Sequence, residues 1–184
     1  HFAAQAADLA AVQRLVQAGA KASANRYGIS PLVAACQHGN AAIIALLLGA
    51  GADANLPMPD GRTPLMVAAQ TGKADAVKLL LARGADAKVH EPFQGQTALM
   101  WAAAEGNREA VQALLQGGAE LGAKSKGGFS AFLFAVRQGH RGVAQALLDA
   151  GADANDSVGA KPGGPSALSL AVTNAHYELG AWLL

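Results

Sequence analysis

The sequence predicts an all-α solenoid of helix–turn–helix units, stacked one on the next and joined by hairpin-like loops. Three observations predict it. Two interlocked series of short motifs recur every 32 to 36 residues along the 184 positions. Each unit carries residues that start and stop helices at fixed places within it. Charged residues make up only 15% of the chain and apolar ones 52%, with 45 alanines. An average soluble protein is about a quarter charged, so this composition points to an alanine-rich globular or repetitive protein.

The first series is Gly-Ala followed by a polar residue. It recurs at Gly19, Gly51, Gly84, Gly118 and Gly151, at intervals of 32, 33, 34 and 33. The second begins at Gly28, Gly61, Gly95, Gly128 and Gly164, at intervals of 33, 34, 33 and 36. Together they divide the chain into a partial unit over 1–27, units over 28–60, 61–94, 95–127 and 128–163, and a partial unit over 164–184.

Each unit is readable in order. Ser30, Thr63, Thr97, Ser130 and Ser166 precede apolar runs and suit the N-cap, where a hydroxyl accepts an orphan N–H of the first turn. Pro31 and Pro64 follow where no N–H is needed. The first helix then stops at Gly39, Gly72, Gly106 or Gly139, residues that accept a left-handed backbone. A second helix follows, with apolar residues at helical spacing such as Val77, Leu80 and Leu81, or Val111, Leu114 and Leu115. The alanine pairs 34–35, 68–69 and 102–103 let neighbouring first helices approach closely. One helix pair cannot bury both its faces, so stacked copies supply a continuous core.

This pattern resembles the ankyrin repeat, whose signature runs roughly G-x-T-P-L-H-x-A-A-x-x-G, followed by a helix ending L-L-x-x-G-A-D. The resemblance extends over the whole chain. The family histidine is replaced by Val33, Met66, Met100, Leu133 and Ser169, and only His1 falls in its register. The loop before Gly164, Val158 to Gly163, is about three residues longer than its siblings. The resemblance implies protein binding through a concave groove and projecting loops, here called fingers, and no enzymatic activity. The near-minimal, alanine-rich repeats have a bacterial look.

Other function classes lose ground on the residues themselves. A net charge of +1 gives no general pull towards nucleic acid. The longest apolar run, Ala41 to Leu48, is eight residues, far short of the roughly 20 that insert across a bilayer. Neither a G-x-S-x-G elbow nor a phosphate-binding P-loop is present. Gly49-Ala-Gly51-Ala-Asp-Ala54 lacks the third glycine of a dinucleotide loop and follows a helix. Cys36 shares the register of Ala69, Ala103 and Val136, so a buried small apolar residue is expected, with exposed His38 no base for it. His140 and His176 share a register with Asn107 and Lys73, where helix capping is expected instead of metal binding. Asp53, Asp86, Glu120 and Asp153 form a ladder once per turn. Copies about 10 Å apart cannot converge on one calcium ion. No cofactor, metal or catalytic residue is expected.

Aromatic side chains carry more information. Phe2, Trp101 and Phe134 share one first-helix register with Val67, and Tyr27, Phe93, Phe129 and Met58 lie in or beside the fingers. In the family this register and these turns face the groove. Six of the nine aromatic residues therefore map to one face, which suits a binding surface rich in Trp, Tyr, Phe and Met. Arg62, Gln70, Gln96, Glu105, Arg137 and Gln138 would form its polar rim, with Trp101 and Phe134 at its centre around one partner side chain. The expected function is non-enzymatic binding of a protein or peptide by a monomer. The alternative is a structural scaffold that packs on another domain of a longer polypeptide. The chain begins inside a first-helix pattern and ends before a Gly-Ala-Asp turn. The reading therefore expects a piece of a longer array, with apolar residues such as Trp182 left open.

Overall fold

The computed structural model describes residues 2–6, 8–20, 30–159 and 163–184, with the side chain of residue 5 left aside. Twelve helices fall within them as six consecutive pairs. These are α1 (Phe2–Gln5) with α2 (Leu9–Gln17), α3 (Pro31–His38) with α4 (Ala41–Gly49), and α5 (Pro64–Gln70) with α6 (Ala74–Ala82). They continue as α7 (Ala98–Ala104) with α8 (Arg108–Gln116), α9 (Ala131–Arg137) with α10 (Arg141–Asp149), and α11 (Ala167–Thr173) with α12 (Tyr177–Leu183). Odd-numbered helices pack side by side in one layer, α1 through α11, and α2 through α10 pack likewise in a second. Each pair bridges the layers. Among the described residues there is no strand, only an isolated antiparallel bridge between Ser157 and Ser166.

Local sequence explains the odd-numbered, inner helices from α3 to α11. The hydroxyls of Ser30, Thr63, Thr97, Ser130 and Ser166 accept the N–H three residues on, at 3.1, 3.3, 3.4, 3.2 and 3.2 Å. Four of these caps are buried, so their bonds replace water that cannot reach the helix start. The alanine pairs 34–35, 68–69 and 102–103 lie in the core. They let helices α3, α5 and α7 sit against one another, and Leu32, Leu65, Leu99 and Phe132 are buried in the same core.

The inner helices end in the left-handed region, at φ 77° for Gly139 and 62° for Ala175. At Gly139 a second constraint applies, because a Cβ there would lie 2.7 Å from the His176 ring. This crowding marks a latch between successive pairs. Asn107 Nδ2 donates to the carbonyls of Ala69 and Gln70, both at 2.9 Å. His140 and His176 donate through Nε2 to Ala104 O at 3.0 Å and Arg137 O at 3.1 Å. None of the three caps its own helix. Each instead bonds the last carbonyls of the inner helix one pair earlier, where the helical ladder runs out; Ala69 O also accepts from the Gly72 N–H at 3.2 Å.

The turns are fastened across pairs too. Asp53, Asp86 and Asp153 accept the N–H two residues on, each at 2.8 Å, as local turn formers. Asn55 donates to Gly84 O at 3.0 Å and accepts from Asp86 N–H at 2.8 Å. Near the longer loop, Lys124 Nζ lies 2.8 Å from Asp156, whose other oxygen accepts from Ser130 Oγ at 2.5 Å. Trp182 and Leu183 are half-buried, the Arg141 guanidinium lying 5.5 Å from the Trp182 ring centre.

Candidate partner-binding face

Three of the described fingers are short loops closed by backbone hydrogen bonds. Met58 N–H donates to Arg62 O at 2.8 Å, Glu91 N–H to Gln96 O at 3.0 Å, and Ser125 N–H to Phe129 O at 2.9 Å. Neighbouring fingers then stack: Lys126 N–H donates to Gln94 O at 2.8 Å, and Lys126 Nζ to Pro92 O. Glu91 stiffens the middle finger. It is only 4% exposed, and its carboxylate accepts the N–H groups of Phe93, Gln94 and Gln96 at 2.7, 2.7 and 3.0 Å. Burial alone would push the Glu91 carboxyl up. The three backbone bonds and the Lys126 charge outweigh it and hold the group below its ordinary value. No family histidine is needed to lock this turn.

That finger presents Phe93, which is 66% exposed. Behind it lies a depression of about 210 Å³ bordered by Asp60, Arg62, Glu91, Phe93, Gln94, Gln96 and Trp101. Trp101 is half-buried on α7, with the Arg62 guanidinium 5.8 Å from its ring centre. Arg62 is fully engaged. It bonds Asp60 at 2.8 Å and donates to Gln70 Oε1 at 2.8 Å. Desolvation would raise the Asp60 carboxyl, but the hydrogen bonds and charge of Arg62 prevail and lower it. The Trp101 indole N–H is shielded from solvent and, alone among the described buried side-chain polar atoms, has no acceptor. An unmade bond of this kind costs about 1–3 kcal/mol.

One helix on, a second cluster forms around Arg137. Its guanidinium lies 4.9 Å from the centres of both Phe129 and Phe134, whose rings are 5.3 Å apart. Two expected contact residues are thereby corrected. Val67 and Phe134 are 2% and 4% exposed. Val67 is packed between inner helices, and Phe134 is roofed by Phe129 and Arg137 from its own unit. Trp101 and Phe134 thus do not open together around one partner side chain. Phe129, Met58, Gln70 and Gln96 are partly buried, whereas Glu105 and Gln138 are exposed. Tyr27 and His1 lie outside the described residues.

Cys36 is fully buried, and desolvation pushes its thiol up to about 12, far from a reactive thiolate. No group of three or more His, Cys, Asp or Glu side chains could hold a metal ion among the described residues. None of the described helices is long and apolar enough to cross a membrane. Sequence reasoning missed Glu91, the Arg62–Trp101 pairing and the latch of Asn107, His140 and His176. The signal for Glu91 was an acid shortly before the finger glycine, Gly95.

Comparison with known proteins agrees with the architecture. The family model described as ankyrin repeats in three copies matches residues 1–91, 83–158 and 99–184. No curated protein matches the chain. Repeats of this kind are generally protein–protein interaction modules and typically non-enzymatic. Six stacked helix pairs, hydroxyl-capped inner helices and a family match from one end to the other place this chain in the ankyrin repeat family.

Proposed function

We propose that the chain is a non-enzymatic binding module that holds a partner polypeptide against the fingers and inner helices, centred on Phe93 and Trp101. The observation that carries this reading is the open depression between the exposed Phe93 and the half-buried Trp101. Phe93 stands exposed at its rim, and the Trp101 ring forms part of its lining. The Phe93 and Trp101 rings provide the apolar centre and Gln94, Gln96 and Glu105 a polar edge. Nothing in this surface carries out bond chemistry.

The test is selection of a random peptide library on the intact chain, followed by affinity measurement on the enriched peptides. Truncating a buried aromatic anchor typically costs at least about 2 kcal/mol. Trp101→Ala should therefore weaken these peptides roughly 30-fold, and Phe93→Ala should weaken them less. A melting curve for each variant separates binding from folding. Peptides that ignore both substitutions, or a library that yields none, would remove the proposal.

A further inference from the structure

The two arginines of this face differ in one respect. Arg62 spends its donors on Asp60 and Gln70. Arg137 has no carboxylate or carbonyl hydrogen-bond partner among the described residues; its guanidinium lies against two aromatic faces, each centre 4.9 Å away. Glu105, at the end of the neighbouring helix α7, makes no ion pair with it. The rings hold the guanidinium in place but satisfy none of its five N–H groups, since a π face attracts charge without accepting an in-plane fork of hydrogen bonds.

Resting on the proposed function above, we propose that Arg137 receives a side-chain carboxylate, so that the partner presents an acidic residue close to an apolar one. The charge match is direct: a half-buried cation lacking a counter-ion favours an anion, and a planar guanidinium pairs with a carboxylate through two parallel bonds. The Phe129 and Phe134 rings have already fixed the side chain, so little rotamer freedom is lost when the acid arrives. Spacing follows from the stack. Arg137 extends from α9 and Trp101 from the adjacent α7, and packed helices lie about 8–10 Å apart. An extended peptide advances about 3.3 Å per residue. The acid and the apolar residue that rests by Phe93 and Trp101 should thus be about three positions apart.

The experiment uses a displayed random 12-residue library with no free C-terminal carboxylate, selected on the wild-type chain and on Arg137→Gln. On the wild type, Asp or Glu should be enriched about three positions from a large apolar residue. That acidic preference should vanish on Arg137→Gln while the apolar preference stays. A synthetic enriched peptide with its acid changed to Asn or Gln should bind the wild type at least tenfold more weakly. This second measurement decides the matter even if Arg137→Gln folds poorly, because it leaves the protein unaltered. Peptides that depend on Trp101 but carry no acid, or that tolerate the amide swap, overturn this inference alone. An empty selection overturns it together with the reading beneath it.

Discussion

At Ala175 the backbone adopts φ 62°, the left-handed region taken by glycine in the four preceding inner-helix stops. The Cβ makes that conformation cost roughly 1–2 kcal/mol, and glycine's greater freedom in the unfolded chain returns part of any gain. Ala175→Gly should stabilise the chain by about 1 kcal/mol in chemical denaturation; a loss would show that the turn is not strained. Glu91 makes the opposite kind of statement. Its folded carboxyl is held below the ordinary 4.5. The unfolded chain thus takes up protons first as the pH falls, and stability present above that value is lost below it. In Glu91→Gln this part of the acid dependence should disappear, leaving a shallower decline below pH 4.5 than in the wild type. An unchanged slope would mean that the three N–H bonds do not hold the carboxylate.

Among the elements, inner-helix starts were legible in the sequence because their signals are local. Ser30, Thr63, Thr97, Ser130 and Ser166 each act on an N–H three residues away. The latch was not legible, because Asn107, His140 and His176 act on carbonyls 36 to 39 residues earlier. A pass along one chain reads them as caps of their own helices. Phe134 failed for a related reason. Its register does point towards the groove side, but nothing in helical spacing says that Phe129 will fold back and roof it. The latch has a direct test. Asn107→Ala removes two bonds and leaves the carbonyls of Ala69 and Gln70 without that donor. Unfolding by denaturant should show a loss of about 1–3 kcal/mol; a variant as stable as the wild type would reduce the latch to a passive contact.

Over the whole molecule, helix pairs touch mainly their neighbours in the stack, so stability accrues pair by pair and local interfaces carry it. The same arrangement repeats the core while varying the finger tips and the inner-helix registers: Phe93 is open, Phe134 closed, and Trp101 in between with an unmet donor. The central claim is that a partner seats on Phe93 and the accessible part of the Trp101 ring. The chain has two tryptophans, so a nitrogen-15 correlation spectrum holds two indole N–H signals, assigned with Trp182→Phe. During titration with a library-selected peptide, the Trp101 indole signal should move as the peptide packs against its ring, while the Trp182 signal stays in place. A Trp101 signal that does not move when the site is saturated would contradict the account.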